Sequence, residues 1–347
     1  MRGLYAEPMA IDVHAHYVPR AVVETLQREG DRYGIRVVET EPSCHALSFA
    51  YGLRVRPFFA KLIEEPARRV AGMQAIGIDR QILSAWTDIF GYGLDAAPGA
   101  AWHRLLNESL AAFVQKHPER FSMLASGALP DAARAARELE YAVRELGAVG
   151  GVCATNVEGV NLGELALDEY WTAAVELGVP VFLHPAQPNP TPRTHRFALN
   201  QIVQYTFDTT LAVGSLIGSG VLDRFPALTL ILSHGGGALP YLTGRFDCMF
   251  ERSDRAATGI VAASPPSAYL GRMFYDTILH EPDALRYLAS RVGVDRLLIG
   301  SDDSFPPADR DPLASLRRAG FSAEQIHTIA EITPKRLFTR LESKESP

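Results

Sequence analysis

Short apolar runs rich in Val, Ile and Leu alternate along this chain with longer segments whose apolar positions recur at helical spacing. Continuous apolar runs suit strands covered on both faces, and amphipathic helices between them supply the cover. Runs at 10–14, 80–85, 121–127, 149–154, 179–184, 228–234, 273–278 and 296–301 predict eight strands. Helices are predicted over 61–73, 101–116, 131–146, 167–177 and 283–290, several opening at an Asp or Ser that can cap the first turn. Eight such units predict an α/β protein, a parallel (β/α)8 TIM barrel in one domain, 1–347.

Three stretches break the rhythm. Residues 30–58 read as a small insertion after strand 1 that covers the barrel mouth, built from two short strands and a turn. The segment 185–195 carries four prolines, and 253–266 is poor in apolar residues and is expected outside the core. The tail, 333–341, reads as a closing helix with Pro334 in its first turn, followed by frayed residues.

The strand ends carry the chemistry. In Ile11-Asp12-Val13-His14-Ala15-His16, alternate residues point the same way, so both imidazoles can aim at one point. Three other runs also end in ligand-type side chains: Val181-Phe182-Leu183-His184, Leu230-Ile231-Leu232-Ser233-His234 and Leu297-Leu298-Ile299-Gly300-Ser301-Asp302. A barrel brings the C-terminal ends of its strands to one face, so these groups can meet around one ion. Imidazoles with a carboxylate suit Zn²⁺ and also accept Mn²⁺, Fe²⁺ or Co²⁺. Any one of these residues alone reads as an ordinary capping or core side chain; the coincidence at four strand ends points to a metal. After His234, three glycines would let a substrate approach the backbone closely, and the plainer reading, that they only turn the chain, stays open.

Composition narrows the partners. Apolar content of 47% with 21% charged residues describes a soluble globular protein, and a net charge of −6 argues against a nucleic-acid surface. No apolar run is long enough to span a bilayer and no leader pattern opens the chain, so a cytoplasmic protein without a membrane partner is expected. Cys44, Cys153 and Cys248 form no CxxC pair and are expected to be reduced and packed.

Taken in order, Asp12-Val-His-Ala-His16 with Val18-Pro19, His184-Pro185, His234-Gly-Gly-Gly-Ala238 with Gly244-Arg245, and Gly300-Ser-Asp302 with Phe305-Pro306 resemble the amidohydrolase superfamily. The nearer resemblance is to its aminocarboxymuconate-semialdehyde decarboxylase-like branch, whose acidic-Thr-Thr helix and seventh-strand end are matched by Asp208-Thr209-Thr210 and Tyr275-Asp276-Thr277. The resemblance implies that His14, His16, His184 and Asp302 hold one divalent metal, zinc being the expected ion, with His234 as the catalytic histidine. Binuclear members of the superfamily bridge two ions with a strand-end lysine. The four lysines here, Lys61, Lys116, Lys335 and Lys344, fall in helical stretches or the tail. Arg245 falls where resembling decarboxylases send an arginine into the neighbouring subunit's site to pair with substrate carboxylate, which implies a homodimer or a dimer-based oligomer. Arg54 and Arg56 in the insertion, with Arg193 and Arg196, are competing carboxylate partners, and Phe305 lies in the substrate-facing stretch. Two stretches depart from the branch's usual pattern, Ala186-Gln187-Pro188 and Asp303-Ser304-Phe305-Pro306, and they leave the substrate open.

The implied activity is metal-dependent, non-oxidative decarboxylation of a small unsaturated or aromatic carboxylic acid, such as aminocarboxymuconate semialdehyde or a hydroxybenzoate. Protonating the carbon that bears the carboxylate interrupts conjugation, and loss of CO₂ restores it. Two proton routes are open: water on the metal assisted by His234, or delivery by a protonated Asp302, which would make Asp302 catalytic as well as a ligand. The alternative is a hydrolase or hydratase on the same barrel. No nucleotide-binding motif favours a dehydrogenase.

Overall fold

The computed structural model describes residues 9–41, 44–186 and 191–341. Eight strands form one parallel sheet: Ile11–His16, Arg80–Ser84, Phe121–Ser126, Gly150–Ala154, Val181–His184, Leu230–Leu232, Phe274–Asp276 and Leu297–Leu298. Each pairs with the next in chain order. The backbone closes the ring, because the Val13 N–H donates to the Ile299 carbonyl at 2.9 Å and the Asp302 N–H to the His14 carbonyl at 2.8 Å. Every predicted strand is present. The first runs two residues past its predicted end, since Ala15 and His16 pair with Leu83 and Ser84 of the second. Its register slips between Asp12 and Ala15, an irregularity of the bulge type that re-aims side chains beside active sites.

Helices cover the barrel as the periodicity requires. In Ala132–Arg144, Ala135, Leu139, Ala142 and Val143 form the buried stripe and the Asp131 side chain caps the Arg134 N–H. Each fully buried Leu or Val of this kind contributes about 1.5–3 kcal/mol. The helix predicted from 101 begins earlier, as Ala96–Val114, because Pro98 falls in the first turn, where no N–H is needed. The helix predicted over 61–73 is instead a short 3-10 turn, Ala60–Ile63, and a helix, Pro66–Ala75. Between them Glu64 and Glu65 are extended, and for Glu65 this is the conformation that the following Pro66 imposes.

The insertion forms the expected hairpin, Ile35–Glu41 paired antiparallel with Cys44–Phe49. The hairpin packs beside the helices, Phe49 meeting Trp102 edge-on at 6.5 Å. The part that reaches the mouth is the strap after it, where Phe58 packs on Trp86 and Phe59 on Phe305. The tail differs from expectation. Helix Ala323–His327 continues through a widened turn, Thr328–Ile332, into Thr333–Leu337, so Pro334 sits well inside a longer helix. Cys153 is buried, whereas Cys248 is exposed on helix Leu239–Phe250 and so is not the packed residue expected. Residues 187–190 of the proline-rich excursion and the end of the tail lie outside the described residues. Among the described residues, no helix is long and apolar enough to cross a membrane.

Candidate metal centre and active site

His14, His16, His184 and Asp302 converge, each buried, with their ligand atoms within 4.8 Å of one another. The outer nitrogens of the three histidines face oxygens. His14 Nδ1 lies 2.6 Å from Asp276 Oδ2. His16 Nδ1 lies 3.0 Å from Ser84 Oγ. His184 Nδ1 lies 2.8 Å from the Pro185 carbonyl and 2.9 Å from Thr87 Oγ1. A carboxylate or carbonyl can only accept, so His14 and His184 carry their protons on Nδ1 and present bare Nε2 lone pairs inward.

Those lone pairs crowd one spot. His14 Nε2 is 3.2 Å from His16 Nε2, and both are 3.5 Å from Asp302 Oδ1. His184 Nε2 and Asp302 Oδ1 have no hydrogen-bond partner among the described residues. Acceptors gathered without donors repel unless a cation joins them, so this donor set fits a divalent metal. Burial pushes the His16 pKa down to about 3, keeping it a neutral ligand. Burial also opposes charge on Asp302, but the surrounding histidines, His14 foremost, hold its pKa below the ordinary value.

His234 stands beside this set. Its Nε2 is 3.7 Å from Asp302 Oδ2, its ring is 5.2 Å from His14 and 5.3 Å from His184, and its buried Nδ1 has no partner among the described residues. Both His234 and Asp302 hold φ of +53°, a left-handed conformation that costs about 1–3 kcal/mol per residue and recurs at functional sites. The Asp276 carboxylate fixes the turn by accepting the His234 and Gly235 N–H groups, each at 2.9 Å.

The glycines after His234 serve packing against the protein itself. A Cβ on Gly235 would meet Leu279, one on Gly236 would meet Tyr275, and one on Gly237 would come within 1.9 Å of the Thr206 carbonyl. Their φ values are +60°, +79° and +63°. The turn and its packing therefore require glycine at all three positions, and Gly237 also borders the cavity. Asp208 and Thr210 of the matched helix have structural partners. Asp208 accepts from Asn156 and Thr155, and Thr210 accepts from the Ala238 N–H.

Above the metal centre lies a cavity of about 550 Å³. Trp86, Phe305, Ile278 and Tyr205 give it apolar walls; His184, His234 and Asp302 reach its floor, and Arg56 and Asp88 stand on its side. Phe305 and Arg56 are both among the residues that line it. Arg54 is not: it bridges to Ser48 at the hairpin edge and faces solvent, and the chain turns toward the mouth only after it. Arg193 and Arg196 are exposed and do not line the cavity. Arg245 is exposed on helix Leu239–Phe250, away from its own chain's cavity and without an ion pair among the described residues.

Sequence reading missed Asp88 and Tyr205. Asp88 follows the end of the second barrel strand, a position that a barrel turns toward its site, and Tyr205 opens helix Tyr205–Gly218 just after a widened helical turn, Asn200–Gln204, that no periodicity reveals.

Comparison with known proteins places this architecture. The amidohydrolase profile Amidohydro_2 matches residues 11–340. The 2-amino-3-carboxymuconate-6-semialdehyde decarboxylase of Dictyostelium discoideum is 29% identical over 334 residues, covering 95% of this chain and 89% of that protein. The 6-methylsalicylic acid decarboxylase of Penicillium expansum is 30% identical over 308 residues, covering 87% and 86%. A crystal structure of a dihydroxybenzoic acid decarboxylase from Polaromonas sp. JS666, with bound manganese and the inhibitor 2-nitroresorcinol, superposes with a TM-score of 0.75 at 24% identity, covering 96% and 97%. With the profile spanning nearly the whole barrel, the chain belongs to the amidohydrolase family.

Proposed function

We propose that this protein is a metal-dependent, non-oxidative decarboxylase, a carbon–carbon lyase acting on a small unsaturated or aromatic carboxylic acid. One observation carries the reading: His234 stands outside the four-residue ligand set, beside it, at the floor of an apolar-walled cavity. Two relatives that align along most of the chain are named decarboxylases, which supports the same chemistry.

His14, His16, His184 and Asp302 would hold the ion, which supplies positive charge to attract an oxygen-bearing substrate and steady negative charge on it. Zinc is the proposed ion on donor type, with manganese its competitor because the Polaromonas structure holds it. His234 then carries the proton. Its Nε2 faces Asp302 and its ring borders the cavity, which places a proton-bearing nitrogen beside a substrate held there. The proton passes to the substrate carbon bearing the carboxylate. The bond to that carboxylate breaks, its electron pair restores conjugation, and CO₂ leaves. Phe305 and Trp86 hold the flat substrate.

The working unit in this proposal is a homodimer. Tyr241, Arg245 and Met249 are exposed on one helix, and Phe207 and Leu211 on the helix Tyr205–Gly218 beside it. An apolar surface around an unpaired arginine supports Arg245 acting on carboxylate in a second copy's site. A screen of small unsaturated and aromatic acids for CO₂ release by metal-replete protein, with oxygen excluded, tests the activity. Release of an amine or carbonyl compound, or addition of water, in place of CO₂ would assign a hydrolase or hydratase instead.

A further inference from the structure

Among the described residues lining the cavity, Arg56 is the one arginine or lysine. Three rings enclose its guanidinium, with Cζ 5.0 Å from the Phe59 centroid, 5.3 Å from Trp86 and 6.0 Å from Phe305. Phe305 in turn meets the His16 ring at 5.3 Å. Arg56 is therefore separated from the metal ligands by an aromatic ring and faces the distal part of whatever the centre holds.

Its charge is already matched. Arg56 Nη2 lies 3.5 Å from Asp88 Oδ2, and the Asp88 side chain is 1% exposed. The Tyr205 hydroxyl donates toward both Asp88 oxygens, at 3.2 and 3.4 Å. Burial, then the Asp88 charge, keeps the Tyr205 phenol well above its ordinary pKa, so it remains a neutral donor. One donor is left over: Arg56 Nε is buried without a partner among the described residues.

A balanced charge with a spare N–H suits a neutral acceptor. A second anion in that position would face the buried Asp88 carboxylate while Arg56 is already paired with it and, in the proposed dimer, Arg245 of a second copy is taken up by the carboxylate that leaves, a repulsion of the kind that sets specificity. We propose that the Arg56–Asp88 pair is a selectivity element: it accepts a substrate whose distal end carries a neutral oxygen, such as a hydroxyl, ether or carbonyl, and rejects a second carboxylate. This rests on the cavity being the substrate pocket of the decarboxylase, and it narrows the substrate class to monocarboxylates with a neutral oxygen substituent.

The test is calorimetric binding of two probes to metal-replete protein, 3-hydroxybenzoate and isophthalate, which differ in whether the second ring substituent is neutral or anionic. The wild type is expected to bind 3-hydroxybenzoate at least about tenfold more tightly, and Asp88→Asn to raise isophthalate affinity by about tenfold or more. Adding Arg56→Gln to Asp88→Asn should abolish that gain. Parity of the two probes in the wild type overturns the proposal, and this comparison stands even if the variants fail to fold. An unchanged probe ratio in folded Asp88→Asn also overturns it. CO₂ release alongside either of those results would leave the decarboxylase reading intact, whereas failure of metal-replete protein to bind either probe contradicts the pocket assignment and the proposal together.

Discussion

Asp276 holds His14 and His234 through one carboxylate: its Oδ2 lies 2.6 Å from His14 Nδ1 and accepts the His234 backbone N–H at 2.9 Å. A ligand on the first barrel strand and the histidine after the sixth are thereby set by a side chain on the seventh. Burial opposes charge on Asp276, yet the His14 hydrogen bond and charge leave its pKa below the ordinary value, so the group stays anionic. Asp276→Asn should weaken metal affinity by about 10–100-fold, the usual effect of losing a carboxylate behind a ligating histidine. Competition with a chelator measures this, and unchanged affinity in the folded variant would show that Asp276 does not orient His14.

The Arg245 assignment predicts complementation between subunits. Arg245→Ala and His234→Ala should each be nearly inactive alone. After subunit exchange, the mixture should recover about a quarter to a half of wild-type specific activity, because mixed dimers contain one complete site. No recovery, with exchange demonstrated by mass-labelled subunits, would confine Arg245 to its own chain.

Gly237→Ala should destabilise the protein by about 1–3 kcal/mol, since its Cβ would meet the Thr206 carbonyl at 1.9 Å on a backbone with φ of +63°. Gly72 is the control. It lies inside helix Pro66–Ala75 with nothing within 4 Å of a built Cβ, so Gly72→Ala should stabilise by about 0.5–1 kcal/mol. Denaturant unfolding of the pair checks both signs.

Acid stability should depend on His103. This buried residue hydrogen-bonds Ser126 Oγ through Nδ1 at 2.8 Å, and burial pushes its pKa down from 6.5 to about 3. Above pH 6.5 it is neutral in both states and contributes no pH dependence. As pH falls below that, the unfolded chain takes up a proton that the folded chain refuses, so stability drops by roughly 1.4 kcal/mol per pH unit from this group. His103→Gln should flatten the stability profile between about pH 6 and 4.5 by that amount. Unfolding curves with identical slopes for both proteins would contradict the assignment.

Much of the barrel and its ligand set can be read from sequence, because both depend on local pattern. A buried parallel strand must be a short apolar run, and a polar residue ending it is conspicuous, as at His184 and Asp302. What sequence conceals depends on three-dimensional neighbours. Arg54 and Arg56 look alike two residues apart, yet one faces solvent and the other a ring of aromatics, because the strap turns between them. The glycines after His234 suggest open backbone until Leu279, Tyr275 and Thr206 are seen to fill that space. Asp88 and Tyr205 lie more than a hundred residues apart and meet only when the barrel closes.

In the proposed reaction, a divalent ion at the four-residue centre and a proton from His234 together expel CO₂. Single-turnover reaction in D₂O, with the best acid from the CO₂ screen, tests it most directly. Metal-replete wild type should release one CO₂ per product and place one deuterium on the carbon that lost the carboxylate. Chelated protein should do neither. His234→Asn should keep its metal by elemental analysis yet turn over roughly 10²–10⁴-fold more slowly, the usual cost of removing a general acid–base group. Product formed without CO₂, or near-normal turnover by metal-loaded His234→Asn, would contradict the account.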